Sequence, residues 1–393
     1  MANIAILVPR FPPAPGAVVQ GQAEDWANRL AAAGHHVTVI TRRDPVDLPS
    51  RETREGYTII RSWGAEREPL RFPRLPAFLR NKGLSRPLRV LEDKVRLWSD
   101  LRGVSRGLDA IDPAPDVLLC FMTLPTGLLG VLVGRRCGIP AVVWIRGESD
   151  YLALRSMRSR QSLLQAWEGA AGVLVQSDKA KTDFLAEIQR VAPASVPVVR
   201  DKLVVVENGV ALPTSCEYDS AGPVLAVGRL VPEKGMNVVV ESCARLGRPL
   251  IVAGRGPELP RLTRQAAALG ADVTFTGFVD RNELDSLYRQ ASVVVLNSES
   301  EGMPNVVLEA MAYARPVVTT PVGCVPDLIT DDRNGLLVPP GDTGALTSAL
   351  ARLAADPRWA RGLGSAARAT AERYAWHIVV PKLEEALEHW RRR

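Results

Sequence analysis

The chain has 393 residues, 46% hydrophobic and 23% charged, with a formal net charge of +6. That length exceeds what one hydrophobic core supports, so two domains of roughly 200 residues are expected, and the composition excludes a collagenous or disordered chain. Five cysteines, an odd number with no C-x-x-C pair, argue against a disulfide framework or a zinc site and for a reducing cytosol.

The opening residues 2–9 lack the charged start and length of a signal peptide and read as a buried first strand. A Pro/Gly loop follows from Arg10 to Gly16, then a helix over 22–33 stopped by Gly34, and a strand over 35–40. This βαβ unit implies a parallel sheet with helices on its faces. A further strand is expected over 57–61. The segment from Arg71 to Arg106 is basic, with ten Lys and Arg against Glu92, Asp93 and Asp100. Pro73, Pro76 and Pro87 interrupt it, and from Leu88 onward it reads as an amphipathic helix packing inward, or as a face toward an anionic membrane or acceptor. Residues 117–134 approach the length of a membrane span, but Pro125, Gly127 and Gly130 favour strand, loop and buried helix. Short apolar strands over 141–145, 173–175 and 204–206 close the first half. The polar stretch 212–223 is read as a linker.

A second alternating series follows. Strands are expected over 224–227, 250–253, 273–276 and 293–296, with helices over 237–246, 259–269 and 281–290 between them. A helix over 306–311 ended by Arg315-Pro316, a strand over 317–320, and helices over 343–355 and 357–374 complete it. The last helix, from about 375, carries Val379, Leu383, Leu387 and Trp390 on one stripe. The fold class is therefore α/β, with two Rossmann-like doubly wound parallel-sheet domains. Their ligand crevice lies at the C-terminal strand ends, between the halves. The expected boundaries are 1–211 and 212–374, with 375–393 crossing back.

The chemistry concentrates at those strand ends. After the strand 224–227 come Gly228, Arg229 and Lys234, a tight exit followed by two cations suited to phosphate. After the next strand comes Gly254 of a G-x-G, whose commoner role is structural turning. After the strand 293–296 comes SESEGMPNVVLEAMAYARP, with Glu301 just before a helix and Glu309 about two turns in. Taken alone, two glutamates are ordinary solvated residues. Beside a helix N-terminus and two cations, they suit a phosphorylated, hydroxyl-rich ligand. The four histidines lie outside these motifs and no D-x-D occurs, so no obligatory metal and no other cofactor is expected.

The strings VGRLVPEKG, AGRGPE, GFV at 277–279, SESEGMPNVVLEAMAYARPVVTTPVG and NGLLVPPGD resemble, in order and spacing, the C-terminal domain of retaining glycosyltransferases of family 4, which have the GT-B fold. AAAGHHVTVIT, WIRGESD, VLVQSDKAK and ENGV resemble the family's acceptor domain more loosely. The resemblance implies that Arg229 and Lys234 bind the donor diphosphate. It places Glu301 on the donor sugar, with backbone N–H groups from Gly302 and Met303. Glu309 would hold the ribose, and Phe278 and Val279 would flank the base. It also implies retention at the anomeric carbon, with the leaving phosphate taking the acceptor's proton.

The chain departs from the family on the acceptor side. Gly16 or Gly21 stands for the usual paired glycines, Arg146-Gly147-Glu148 for a usual His-Gly, and Ala211 for a usual Asp. Ala314 replaces a usual Gly, tolerable if its φ is negative. The function expected is transfer from a nucleotide-sugar, UDP ahead of GDP, to a glycan or lipid-linked acceptor in cell-surface glycan assembly. The expected location is cytoplasmic, at the inner membrane surface if the 71–106 face binds lipid, with no nucleic-acid partner. A nucleotide-sugar epimerase or a non-catalytic sugar-nucleotide-binding scaffold are the alternatives.

Overall fold

The computed structural model describes residues 1–12, 21–43, 48–64 and 85–392, with backbone only for 21 and 85–96. Apolar runs of four or five residues between helices give strands buried on both faces, as a parallel sheet requires. The first sheet contains β1 (Asn3–Leu7), β2 (His36–Arg42), β3 (Arg51–Arg54), β4 (Tyr57–Trp63), β5 (Val117–Phe121), β6 (Ala141–Trp144), β7 (Gly172–Val175) and β8 (Leu203–Val205). Its order is β3-β4-β2-β1-β5-β6-β7-β8, parallel throughout except for β3 against β4. The second sheet contains β9 (Val224–Val227), β10 (Leu250–Ala253), β11 (Val273–Gly277), β12 (Val293–Leu296), β13 (Val317–Thr319) and β14 (Leu336–Leu337). Its order is β11-β10-β9-β12-β13-β14, all parallel.

The strand order reverses between β1 and β5 in one sheet and between β9 and β12 in the other. Crossover connections leave those strands toward opposite faces, so a crevice opens at their C-terminal ends. The segment 117–134 resolves into β5, a π-helical turn Thr123–Gly127, and the start of the helix Leu128–Cys137. No helix among the described residues is long and apolar enough to cross a membrane.

The last helix, Trp376–Arg391, packs on the first sheet. Val379, Leu383, Leu387 and Trp390 are buried in one cluster with Ile4 of β1, Leu119 of β5 and Trp144 of β6. The Trp26 ring sits 5.0 Å from those of both Trp144 and Trp376, so the helix Gly21–Ala32 is clamped between sheet and final helix.

Three expectations need correction. β3 went unforeseen because its sequence, RETR, has no apolar alternation. It is held instead by Glu52, which accepts from Arg54 and Arg61 at 2.7 Å each. The motif helix spans Asn305–Ala312, so Glu309 lies a little over one turn in, because Glu301 to Pro304 form a loop. That helix ends before Arg315-Pro316, and Ala314 takes the left-handed conformation with φ +55° rather than a negative φ. The carbonyl-capping geometry at a helix end requires that turn, normally supplied by glycine.

Candidate functional site

Because β9 and β12 are neighbours, the loops that follow them emerge side by side. The Glu299 N–H donates to the Glu233 carbonyl at 2.9 Å, tying the two loops together. Lys234 Nζ then donates to Glu301 Oε1 at 2.6 Å, and Ser298 Oγ donates to the same oxygen at 2.6 Å. Both partners of the ion pair are largely buried, at 14% and 12% side-chain exposure. Arg229 is different: its side chain is 66% exposed and pairs with Glu233 at 3.0 Å across one turn. Such an exposed pair is weak, so Arg229 is available to an incoming anion.

The glycines of these loops permit close backbone approach. A Cβ on Gly254, at φ +150°, would lie 1.8 Å from the Gly228 carbonyl oxygen, so a side chain there would push the two loops apart. The G-x-G therefore has the structural role expected of it. Phe278 is exposed beneath the Arg255 guanidinium, 5.6 Å from its ring centre, whereas Val279 is buried in the core. Of the two, only the Phe278 ring is open to a planar ligand.

Glu309 is not solvated. Arg281 NH1 donates to its Oε1 at 2.6 Å and the Tyr288 hydroxyl to its Oε2 at 2.8 Å. Burial pushes the Tyr288 hydroxyl well above its ordinary pKa, with the Glu309 charge acting in the same direction. Asp25, on the helix Gly21–Ala32 of the first half, is raised to about 6 by burial; Arg281 opposes the shift and Glu309 adds to it. Thus the first half contributes a titratable carboxyl to the surroundings of Glu309.

The first half meets the motif loop directly. A Cβ on Gly302 would lie 2.3 Å from the Arg146 carbonyl oxygen, so this glycine is what lets the two walls touch. Asn208 is the joint between them. Its Nδ2 donates to the Met303 carbonyl at 3.0 Å and to Asn305 Oδ1 at 2.7 Å. Its Oδ1 accepts from Gln176 at 2.8 Å and from Arg146 NH2 at 2.8 Å. Arg146 lies over the rings of Trp144 and Phe121 at 4.6 and 5.2 Å, and NH2 also donates to Gln22 Oε1. Burial pulls its guanidinium down to about 9, still cationic at neutral pH. Glu148 lies in a small pocket with Tyr151, Asp183, Gly302 and Cys324, and burial raises its carboxyl.

The structure thus brings Lys234, Glu301, Gly302, Met303, Arg146 and Glu148 to one seam, with Gly228 against Gly254 in the adjoining loop and Glu309 one helical turn farther on. Gly21 opens the helix Gly21–Ala32, while Gly16 lies outside the described residues. Sequence reading missed Gln22, Gln176, Asn208, Arg281 and Tyr288. Asn208 lies in ENGV, a turn signal and part of the looser resemblance, and no local pattern reveals a partner about a hundred residues away.

Known proteins agree with this architecture. A family model described as glycosyl transferase 4-like domain matches residues 19–209, and one described as glycosyl transferases group 1 matches residues 222–356. The alpha-D-kanosaminyltransferase of Streptomyces kanamyceticus is 38% identical over 141 residues, covering 34% of this chain and 36% of the relative. A GDP-mannose-dependent phosphatidylinositol monomannoside mannosyltransferase of Mycolicibacterium smegmatis is 33% identical over 179 residues, covering 42% and 47%. The aligned part of the chain spans about a third to a half of the length of these curated relatives. The sucrose-phosphate synthase of Thermosynechococcus elongatus has the same fold, with a TM-score of 0.76 at 22% identity over 99% of both chains. Anabaena HepE, solved with UDP-glucose, gives 0.70 at 17% identity over 99% and 100%. With both sheets, both switch points and both domain models in agreement, the chain belongs to the GT-B glycosyltransferases of the family 4 type.

Proposed function

We propose that this protein is a retaining glycosyltransferase that moves a sugar from a nucleotide-sugar, UDP ahead of GDP, to a hydroxyl of a glycan or lipid-linked acceptor. Residues 212–374 would carry the donor and residues 1–211 the acceptor. The observation that carries the reading is the buried Lys234–Glu301 pair at the β9/β12 switch point, facing Arg146-Gly147 across the seam. A partly buried ion pair is screened less than a surface one, and its charges sit where a diphosphate and a sugar would arrive.

In this reading Lys234 and the exposed Arg229 neutralise the departing diphosphate. Glu301, fixed by Lys234 and Ser298, keeps an oxygen for a sugar hydroxyl, and Glu309, fixed by Arg281 and Tyr288, keeps lone pairs for ribose hydroxyls. The acceptor oxygen bonds the anomeric carbon on the face from which the phosphate oxygen leaves. The acceptor's proton passes to that phosphate oxygen, so no protein base is needed. The test is a thermal-shift panel of UDP- and GDP-sugars followed by transfer assays on Lys234→Ala and Glu309→Ala. Full activity in both variants sinks the assignment. An isomerised donor without acceptor marks an epimerase, and binding without turnover marks a scaffold.

The acceptor side includes a basic groove of about 720 Å³ lined by Trp98, Arg102, Arg106 and Arg136. Trp98 is 56% exposed, with the Arg102 guanidinium 3.7 Å from its ring centre. An exposed aromatic among arginines suits the interface of an anionic membrane, which supports peripheral attachment. Residues 71–84 of this basic segment lie outside the described residues. Sedimentation with vesicles of neutral and anionic lipid tests the attachment: binding to neither excludes it, and equal binding to both excludes a role for the arginine charge.

A further inference from the structure

We infer that Arg146 reads a carboxylate on one of the two sugars brought together in the cleft, which makes it a specificity-determining residue. The inference rests on the site reading above and deepens it.

Arg146 stands just past the C-terminal end of β6, with its carbonyl against Gly302 and its side chain linked through Asn208 to the Met303 carbonyl. Among the described residues its NH2 is held only by neutral amide oxygens, those of Gln22 and Asn208. Its NH1 is buried with no hydrogen-bond partner among them. Among the described residues no carboxylate forms an ion pair with it. Asp150 acts on it from a distance, and the Asp150 oxygens are taken by the N–H groups of Thr123 and of Arg146 itself, at 3.1 and 2.9 Å.

Arg315 shows that this fold can satisfy a buried arginine. Its Nε donates to the Tyr313 carbonyl at 2.8 Å, its NH1 to the Ala291 carbonyl at 3.1 Å, and its NH2 to the Glu217 carbonyl. A buried cation with an idle N–H group is costly, and the Trp144 and Phe121 rings against it offer no oxygen acceptor. The partner missing from the chain is therefore expected from the ligand. The guanidinium lies over the Trp144 and Phe121 rings, and a planar fork matches a planar carboxylate through two parallel hydrogen bonds. A diphosphate is already served by Lys234 and Arg229 on the opposite wall. The incoming carboxylate displaces the neutral Gln22 amide and engages NH1.

The carboxylate has two possible sources, the transferred sugar or the acceptor, and the experiment has an arm for each. The full chain is titrated calorimetrically with UDP, UDP-glucose and UDP-glucuronic acid. Then, with UDP saturating, it is titrated with methyl glucoside and methyl glucuronoside. If GDP binds in place of UDP, GDP-mannose and GDP-mannuronic acid form the donor pair. The wild type is expected to prefer the acidic member of one pair on the order of tenfold. In Arg146→Gln that ratio, referred to each variant's own affinity for the nucleotide, falls to near one. A wild-type ratio near one in both arms overturns the inference and leaves the site reading standing, whatever the variant does. A preserved ratio in Arg146→Gln also overturns it, and Arg146→Met, which likewise removes the cation, serves if the glutamine variant does not fold. Failure of both UDP and GDP to bind overturns the site reading itself.

Discussion

The two walls of the cleft are built differently. The wall from the second half is local: Lys234, Ser298 and Glu301 sit on two loops joined by one switch point, and their contacts are made within that half. The wall from the first half is a relay. Gln22, Arg146, Gln176 and Asn208 come from separate elements, and the chain of bonds ends on the Met303 carbonyl of the opposite wall. One wall pairs its charges within itself, and the other connects the two halves. Substitutions on the first should therefore remove chemistry at little structural cost, and those on the second should loosen the seam.

The sharpest division comes from Lys234→Ala. Its Nζ is the cation bonded to Glu301, and removal of such a preorganised electrostatic group costs on the order of a hundredfold or more in rate. The loops stay joined through the Glu299 N–H to Glu233 carbonyl bond, so the melting temperature should move by only a few degrees. Steady-state transfer and calorimetry on the same preparation check both halves of this statement. A variant that unfolds would place Lys234 among the structural residues.

Asn208→Ala should show the opposite pattern. Asn208 is 2% exposed, and its amide serves four partners from both halves. Stranding them should cost about 2 kcal/mol of stability. In a double-mutant cycle with Asn305→Ala, the two losses should fall short of additivity because they share a hydrogen bond. Additive losses in denaturant titrations would mean that the seam does not run through this amide.

A pH series sharpens the comparison further, because Asp25 brings a carboxyl from the first half near Glu309. Its folded-state pKa is about 6 against an ordinary value of 3.8. The folded protein therefore binds this proton more tightly than the unfolded chain does. The group's contribution is most favourable below about pH 4 and is lost as pH rises through about 6. Asp25→Asn should accordingly stabilise the protein above pH 6, on the order of 1 kcal/mol after allowance for partial exposure, with the gain vanishing near pH 4. Melting curves of both proteins across that range check the sign.

The same contrast explains what was legible in the sequence. Most strands and helices of the second half follow directly from short apolar runs between turn residues. The stripe Val379, Leu383, Leu387 and Trp390 likewise announces the helix that packs on the first sheet. Lys234 and Glu301 were legible because each closely follows a strand, so the motif carries its own address. The helix start near 306 is legible in the sequence, but the depth of Glu309 within that helix is not. SESEGMP contains turn residues, but nothing in them fixes how many residues precede the first helical turn. The partners of Glu309 and Arg146 were invisible for a different reason. Tyr288 lies 21 residues from Glu309, and Gln22 lies 124 from Arg146, and such pairings are decided by sheet order rather than by local pattern.

Ala314 is a place where the well-read half breaks a local rule, and it yields the smallest effect. At φ +55° its Cβ is crowded against the backbone, which disfavours the conformation by about 1–2 kcal/mol for an L-residue. The turn is nonetheless enforced. The Ala314 N–H donates to the Met311 carbonyl and the Arg315 N–H to that of Ala310, and the Arg315 side chain is anchored by four carbonyls, those of Tyr313, Arg289, Ala291 and Glu217. Ala314→Gly relieves the strain but adds freedom to the unfolded chain, which offsets roughly 0.5–1 kcal/mol. The net gain should be about 0.5 kcal/mol, with transfer unchanged because Ala314 lies at the far end of the helix from Glu301. A loss of stability in chemical denaturation would show that the left-handed turn carries no strain, and that the helix end is set by Arg315 alone.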